Sequence, residues 1–450
     1  MKIQDYFAFQ RTYHYFSEDN NIIMRHAFPA TAVALLLCSC SPSESKVILG
    51  DERPDVFLPM LEGKRVALFS NQTGIVGDKV TGSKLADDVA KNGITDANSL
   101  IPFTEPSEEG GKIVYGPHII DCLIEKGVDV KAIFSPEHGF RGTADAGEKV
   151  SSGVDEATGV EILSLYGGGS LIPGKDKTDK FDVLVVDIQD VGLRYYTYYV
   201  TMHHLMEACA RDGKKMVILD RPNPNGFYVD GPILDMSNKS GVGWLPITTV
   251  HGMTLGELAL MINGEGWLEN GKCDLEVVPC LNYTHQTLYS LILPPSPNIK
   301  DMRAVYLYSS TCYFEGTRVS LGRGTDYPFE IYGHPDMKGY DFSFTPRSVA
   351  GAKSPVLIDE ECHGIDLRSK PLKDIHAEKI NLGYVIDAYG NLGIGDDFFG
   401  KTNFFEKLAG VRYVREMIKE GASAAEVSAR WASDVETFKK RRKPYLLYEE

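Results

Sequence analysis

Phe181-Asp-Val-Leu-Val-Val-Asp187, followed at once by Ile188-Gln-Asp-Val-Gly-Leu-Arg194 and then Tyr195-Tyr-Thr-Tyr198, decides the fold class of this 450-residue chain. An apolar run of strand length that stops at an acidic residue and gives way to a polar, glycine-bearing loop predicts a buried strand. Three other runs repeat the pattern: Arg65–Ser70, Lys131–Ser135 and Lys215–Asp220. Helices are predicted between them at His118–Lys126, Thr197–Arg211 and Thr254–Asn263, the last opened by a capping box of Thr254 and Glu257. Strands alternating with helices predict βαβ units, hence an α/β fold with a mainly parallel sheet.

Outward from this framework the signals are mixed. A stretch from about 92 to 116, rich in Gly, Pro, Ser and Glu, interrupts one crossover and is predicted to be a surface insertion. Ala304–Tyr308 and Phe329–Tyr332 predict strands, and 410–440 carries helical spacing at Val411, Val414, Met417 and Ile418. A chain of this length exceeds one small core. The expected division is a leader and tether over 1–45, a first domain over 46–265 and a smaller α/β domain over 266–450.

Arg25 and the apolar run 27–37 have the length of a signal-peptide core, too short for a membrane-spanning helix. Leu37-Cys38-Ser39-Cys40 closes it like a bacterial lipoprotein processing site, so Cys40 is the expected lipidated residue and Ser41–Lys46 its tether. The polar segment before Met24 does not fit a signal peptide, which makes Met24 a candidate start. The expected location is the cell envelope, with contact to the membrane through that lipid alone. A net charge of −15 repels phosphate backbones, so nucleic acid is not an expected partner. The six cysteines beyond Cys40 lack zinc spacing, and buried thiols are expected for most, Cys273 and Cys280 being the nearest pair.

In an open α/β sheet, ligands bind beyond the carboxyl ends of the strands. All four early strands end in polar loops: Ser70–Gly74, Ser135–Gly142, Asp187–Arg194 with the tyrosines after it, and Asp220–Gly226. Their amides, carboxylates, guanidinium groups and aromatics suit a hydroxylated, partly anionic ligand. Glu137 is the leading candidate acid, stiffened by Pro136 and followed by His138 and Arg141. Desolvation there would raise its pKa toward that of a general acid, and the bland alternative is a salt bridge to Arg141. A second carboxylate would come from Glu207, Glu315 or Asp187. Glu207 shares a helix face with His203 and His204, which equally fits ordinary packing. Glu315 opens a glycine- and arginine-rich loop with Arg318 and Arg323, suited to a carboxylate ligand. Asn71, Gln72, His138, Arg141, Asp187, Arg194, Tyr196, Arg318 and Arg323 are the expected substrate contacts. Gly167-Gly-Gly169 lacks a phosphate-loop pattern and Ser135 lacks a nucleophile elbow. His138, His203, His204 and His251 lack metal-binding spacing, so neither a metal nor any other cofactor is expected.

SNQTG at 70–74, SPEHGFRG at 135–142, DIQDVGLRYYTY at 187–198 and DRPNPNG at 220–226 resemble the NamZ-type exo-β-N-acetylmuramidases. So do PSPNI at 295–299, FEGTRVSLGRGTDYPFE at 314–330 and KPYLLY at 443–448, and the resemblance runs from about residue 55 to the end. It implies a Rossmann-like first domain without a dinucleotide, a second α/β domain, and an active site in the cleft between them. It also implies release of N-acetylmuramic acid from the non-reducing ends of peptidoglycan fragments, with Glu137 as the catalytic glutamate and the lactyl carboxylate gripped by Arg141, Arg194, Arg318 or Arg323. Asp230 stands where the resemblance calls for Glu, and the 92–116 insertion is long for the family. A sugar-binding lipoprotein without catalysis and a metal-dependent hydrolase stay open as alternatives.

Overall fold

The computed structural model describes residues 46–82, 112–136, 140, 153–165, 171–400 and 403–450. Residues 44–450 form one compact unit. Its strands are β1 (Arg65–Ser70), β2 (Val80–Thr81), β3 (Val114–Tyr115), β4 (Asp129–Ser135), β5 (Gly153–Val154) and β6 (Glu161–Ser164). These are followed by β7 (Val183–Asp187), β8 (Lys215–Leu219), β9 (Asp274–Val278), β10 (Ile331–His334), β11 (Phe342–Phe344) and β12 (Cys362–Asp366).

Seven strands make one sheet in the order β5-β6-β4-β1-β7-β8-β9, parallel throughout except for the β5 edge. Leaving out β5, the six parallel strands run 3-2-1-4-5-6 in chain order, the doubly wound arrangement in which strand order reverses beside the first strand. The reversal lies between β1 and β7, which pair from Val66–Val183 to Ser70–Asp187. The sequence runs are near-continuously apolar because both faces are covered. Ala67, Phe69, Ala132, Phe134, Leu184 and Val186 enter one core, while Val66, Leu68, Ile133, Val183 and Val185 enter the other. That is the period-2 alternation of a strand with helices on both sides. The first core takes the helices Tyr198–Asp212 and Leu255–Gly264, and the second takes Pro54–Leu61 and Ile119–Glu125. The Thr254/Glu257 capping box forms as predicted.

Several expectations change. The large sheet takes its last strand, β9, from residues past 265, so it runs beyond the expected domain boundary. Ala304–Tyr308 lies within the helix Met302–Thr311, not in a strand. All ten of its residues are buried, so the helical period is invisible, and the informative signal was the cap, where Asp301 accepts from the Ala304 N–H at 2.8 Å. The strand expected at Phe329–Tyr332 begins at Ile331, because Phe329 takes a positive φ of 71° that ends the preceding turn. The helical stretch 410–440 is three helices, Tyr413–Lys419, Ala424–Arg430 and Ala432–Arg442; Gly421 with φ 82° separates the first two. Beyond the large sheet, β10, β12 and β11 form a small antiparallel sheet. At its flanks the predicted insertion leaves β2 and β3 paired antiparallel, with most of it outside the described residues. The run 27–37, Met24 and Cys40 also lie outside them, and no helix among the described residues is long and apolar enough to cross a membrane.

Candidate active site at the strand reversal

The carboxyl ends of β1 and β7 are tied together by a small polar framework. Asn71 Oδ1 accepts from the Thr73 backbone N–H (3.0 Å) and hydroxyl (2.6 Å), which shapes the turn after β1. Thr73 Oγ1 in turn accepts from the Gln189 N–H at 3.0 Å, joining this loop to the one after β7. Asn71 Nδ2 donates to the Tyr198 hydroxyl at 2.9 Å. His118 caps its helix by accepting the Ile120 N–H on Nδ1, which leaves Nε2 as the donor to the Asn71 carbonyl at 2.7 Å.

A third segment closes over this pair. The hydroxyls of Tyr196 and Tyr198 donate to the Pro295 carbonyl at 2.8 and 2.7 Å, and Gln72 Nε2 donates to the Pro294 carbonyl at 3.0 Å. The 294–299 segment is thereby fixed on the rim. Burial pushes the Tyr196 hydroxyl well above its ordinary pKa, so it remains a donor.

Within this tight framework four buried polar atoms find no partner among the described residues: Gln72 Oε1, Ser135 Oγ, Gln189 Oε1 and Asp190 Oδ2. All four lie at the ends of β1, β4 or β7. Each such atom costs about 1–3 kcal/mol unless something else bonds it, and native structures hold few of them. Among them is Asp190, a residue to which the sequence assigns no role. Its Oδ1 accepts from the Gly192 N–H at 2.7 Å, while burial raises the carboxyl to about 7. The available signal was the Asp-Val-Gly spacing: Gly192 takes φ 77°, and any Cβ there would sit 2.2 Å from the Asn223 side chain.

Several expected contacts have other work. Asp187 is buried and bonded to Arg221 Nε at 2.6 Å, and the same guanidinium reaches Asp78 at 2.8 Å and Asp51 at 2.7 Å. Its carboxylate is thus held in a structural cluster around Arg221. Arg194 is wholly buried and donates to the carbonyls of Pro232, Ile247, Leu408 and Ala409 at 2.7–3.1 Å, so it cannot grip a substrate carboxylate. Glu207 lies about two and a half turns below the rim, about 14 Å along its helix at 1.5 Å per residue. It accepts from the N–H groups of Glu269 (2.7 Å) and Asn270 (3.3 Å), so it closes a turn rather than facing a cleft. His203 accepts from the Trp244 indole at 3.2 Å and His204 packs on the same ring, which makes both interior residues. Asp230 bonds the Trp431 indole at 2.8 Å and the Ile380 N–H at 3.2 Å, a structural role.

Glu315 and Arg323 stay in contention. They pair at 2.5 Å through Glu315 Oε1 and line a cavity of about 560 Å³ with Ser320, Lys353, Val356 and Phe404. Packed aromatic rings stand between this cavity and the rim: Arg323 lies over Phe329, Phe329 meets Tyr308 at 4.7 Å, and Tyr308 meets Tyr196 at 6.2 Å. Arg318 is half-exposed and loosely paired with Asp397 at 3.8 Å. Glu137, His138 and Arg141 lie outside the described residues; the flanking Pro136 is buried, and Phe140 packs edge-on against His118 at 5.1 Å. Among the described residues no three metal-ligating side chains come together.

Two family models match in succession: "Exo-beta-N-acetylmuramidase NamZ, N-terminal" over residues 110–303, and its C-terminal counterpart over 306–448. Their junction falls in the helix Met302–Thr311. The peptidoglycan beta-N-acetylmuramidase NamZ of Bacillus subtilis (strain 168) is 35% identical over 382 residues, spanning 79% of this chain and 91% of that protein. Two crystal structures of DUF1343 family proteins from Bacteroides fragilis NCTC 9343 are similar. One is 52% identical with a TM-score of 0.76, covering 90% of this chain and 100% of its own. The other is 26% identical with a TM-score of 0.67, covering 90% and 99%.

Proposed function

This chain belongs to the NamZ exo-β-N-acetylmuramidase family, and we propose that it is a glycoside hydrolase releasing N-acetylmuramic acid from the non-reducing ends of peptidoglycan fragments. The observation that carries this reading is the similarity across 79% of the chain, at 35% identity, to a protein named for that activity. The rim suits such a substrate, since a sugar brings hydroxyl and amide donors to a place rich in unbonded acceptors.

Glycoside cleavage calls for an acid to protonate the departing oxygen and a second carboxylate to attack or to activate water. Glu137 takes the first role. It directly follows Pro136 at the end of β4, next to the strand reversal. Glu315 takes the second, because Glu207 and Asp187 are committed to structural partners while Glu315 lines a cavity with Arg323. Arg323 donates to Glu315 through Oε1 alone, at 3.1 and 2.5 Å. Arg141, Arg318 and Arg323 are the arginines left for the lactyl carboxylate once Arg194 is removed. The active site then lies in the cleft between the large sheet's rim and the 314–330 loop.

The test is hydrolysis of a chromogenic β-N-acetylmuramide. Wild type releases the chromophore, and Glu137→Gln loses about 10²–10⁴-fold in turnover with its fold intact. Near-normal turnover by that variant removes Glu137 from the mechanism. We place the protein in the cell envelope, held by lipid on Cys40; the apolar run 27–37 and the cysteine after it support this. Cys40→Ala then moves the protein from the membrane fraction to the soluble fraction, and unchanged fractionation contradicts the anchor.

A further inference from the structure

Three of the unbonded atoms at the rim can accept: Gln72 Oε1, Gln189 Oε1 and, when the carboxyl is ionised, Asp190 Oδ2. They are not loose ends of mobile side chains. Gln72 is fixed by its amide on Pro294, Gln189 by its amide on the carbonyls of Asp190 and Pro222 at 2.8 Å each, and Asp190 by the Gly192 N–H. In each case the donor half of the group is used, or the first oxygen is bonded, and an acceptor remains. The loops that carry them are joined by the Thr73–Gln189 bond, and both Gln72 and Tyr196 converge on the 294–295 carbonyls. Asp190 lies close enough to Tyr196 for its charge to act on that hydroxyl. A buried group of acceptors held this rigidly is matched by a ligand that brings donors.

We infer that Gln72, Gln189 and Asp190 form a donor-reading subsite, which receives hydroxyl and acetamido N–H groups of the terminal sugar. The inference rests on the muramidase reading and assigns contacts within it. A terminal N-acetylmuramic residue carries free hydroxyls at C4 and C6 and an amide N–H at C2. A residue inside a glycan strand has lost its C4 hydroxyl to the glycosidic bond. Seating it would leave an acceptor unbonded, and a site built around a substrate hydroxyl strongly rejects an analogue without it. The same subsite thus selects chain ends.

The experiment measures kcat/KM for the chromogenic β-N-acetylmuramide and for its 4-deoxy and 6-deoxy analogues, with wild type and Asp190→Asn. The asparagine keeps the shape and can keep the Gly192 bond, but it places an amide donor where the free carboxylate oxygen was. The variant is expected to lose about 10²-fold or more in kcat/KM on the full substrate. Wild type is expected to lose comparably on at least one deoxy analogue, and that loss should shrink in the variant, because the partner of the missing hydroxyl is already gone. A variant within threefold of wild type overturns the subsite, as does a loss equal on all three substrates. If Asp190→Asn does not fold, the wild-type series decides alone, and equal turnover of all three sugars overturns it. A wild-type protein that leaves the parent muramide intact overturns the muramidase reading instead, which separates the two failures.

Discussion

Arg221 and Asp190 stand after neighbouring strands of one sheet, both buried, and they have opposite hydrogen-bond ledgers. The Arg221 guanidinium is saturated, its nitrogens bonded to Asp51, Asp78 and Asp187, with the Ile75 carbonyl as a fourth partner. The Asp190 carboxyl keeps one oxygen unbonded, and on the same rim loops two glutamine oxygens are in the same condition. Burial does not distinguish these two places, since both side chains are buried. Satisfaction does: the saturated cluster holds the N-terminal segment, β7 and the loop after β8 in position, and the unsatisfied one is left to bind.

The largest expected effect breaks the saturated side. Arg221→Met should destabilise the fold by about 3–5 kcal/mol, because it leaves buried carboxylates uncompensated, and thermal or urea unfolding reads this directly. A loss below about 1 kcal/mol would mean that the cluster is not the frame described here. Next comes the site. Glu315→Gln should lower turnover about 10²-fold or more and change stability little, since its pair with Arg323 is partly exposed. A stability loss with unchanged turnover would move Glu315 to the structural side. Chelator should leave activity unchanged if two carboxylates carry the chemistry.

A third test sharpens the comparison through pH. Burial raises Asp190 from an ordinary value near 4 to about 7. The folded state therefore holds a proton that the unfolded chain gives up near pH 4. Stability from this group is complete below about pH 4 and declines as pH rises to about 7, with a slope of at most about 1.4 kcal/mol per pH unit. Asp190→Asn should flatten the urea-unfolding profile between those limits. An unchanged profile would mean that this carboxyl is not buried as described.

The strands and the strand-end loops were legible because parallel strands covered on both faces write continuous apolar runs, and because the Thr254/Glu257 cap is local. The roles of individual polar residues were less legible. Arg194 looks like any rim arginine until Leu408 and Ala409, far along the chain, supply its acceptors. Glu207 shows helical spacing with two histidines, yet its partners come from the turn at 269–270. The 304–308 segment failed for a simpler reason: a helix buried all round has no polar face to betray its period. Asp190 was passed over because its importance lies in a bond it does not make, which no sequence displays.

The most direct measurement pairs two disaccharides, one with N-acetylmuramic acid at the non-reducing end and one with it at the reducing end. Each is incubated with the protein and its products are weighed by mass spectrometry. The account predicts free N-acetylmuramic acid from the first and no cleavage of the second. Cleavage of both, or of neither, would contradict it.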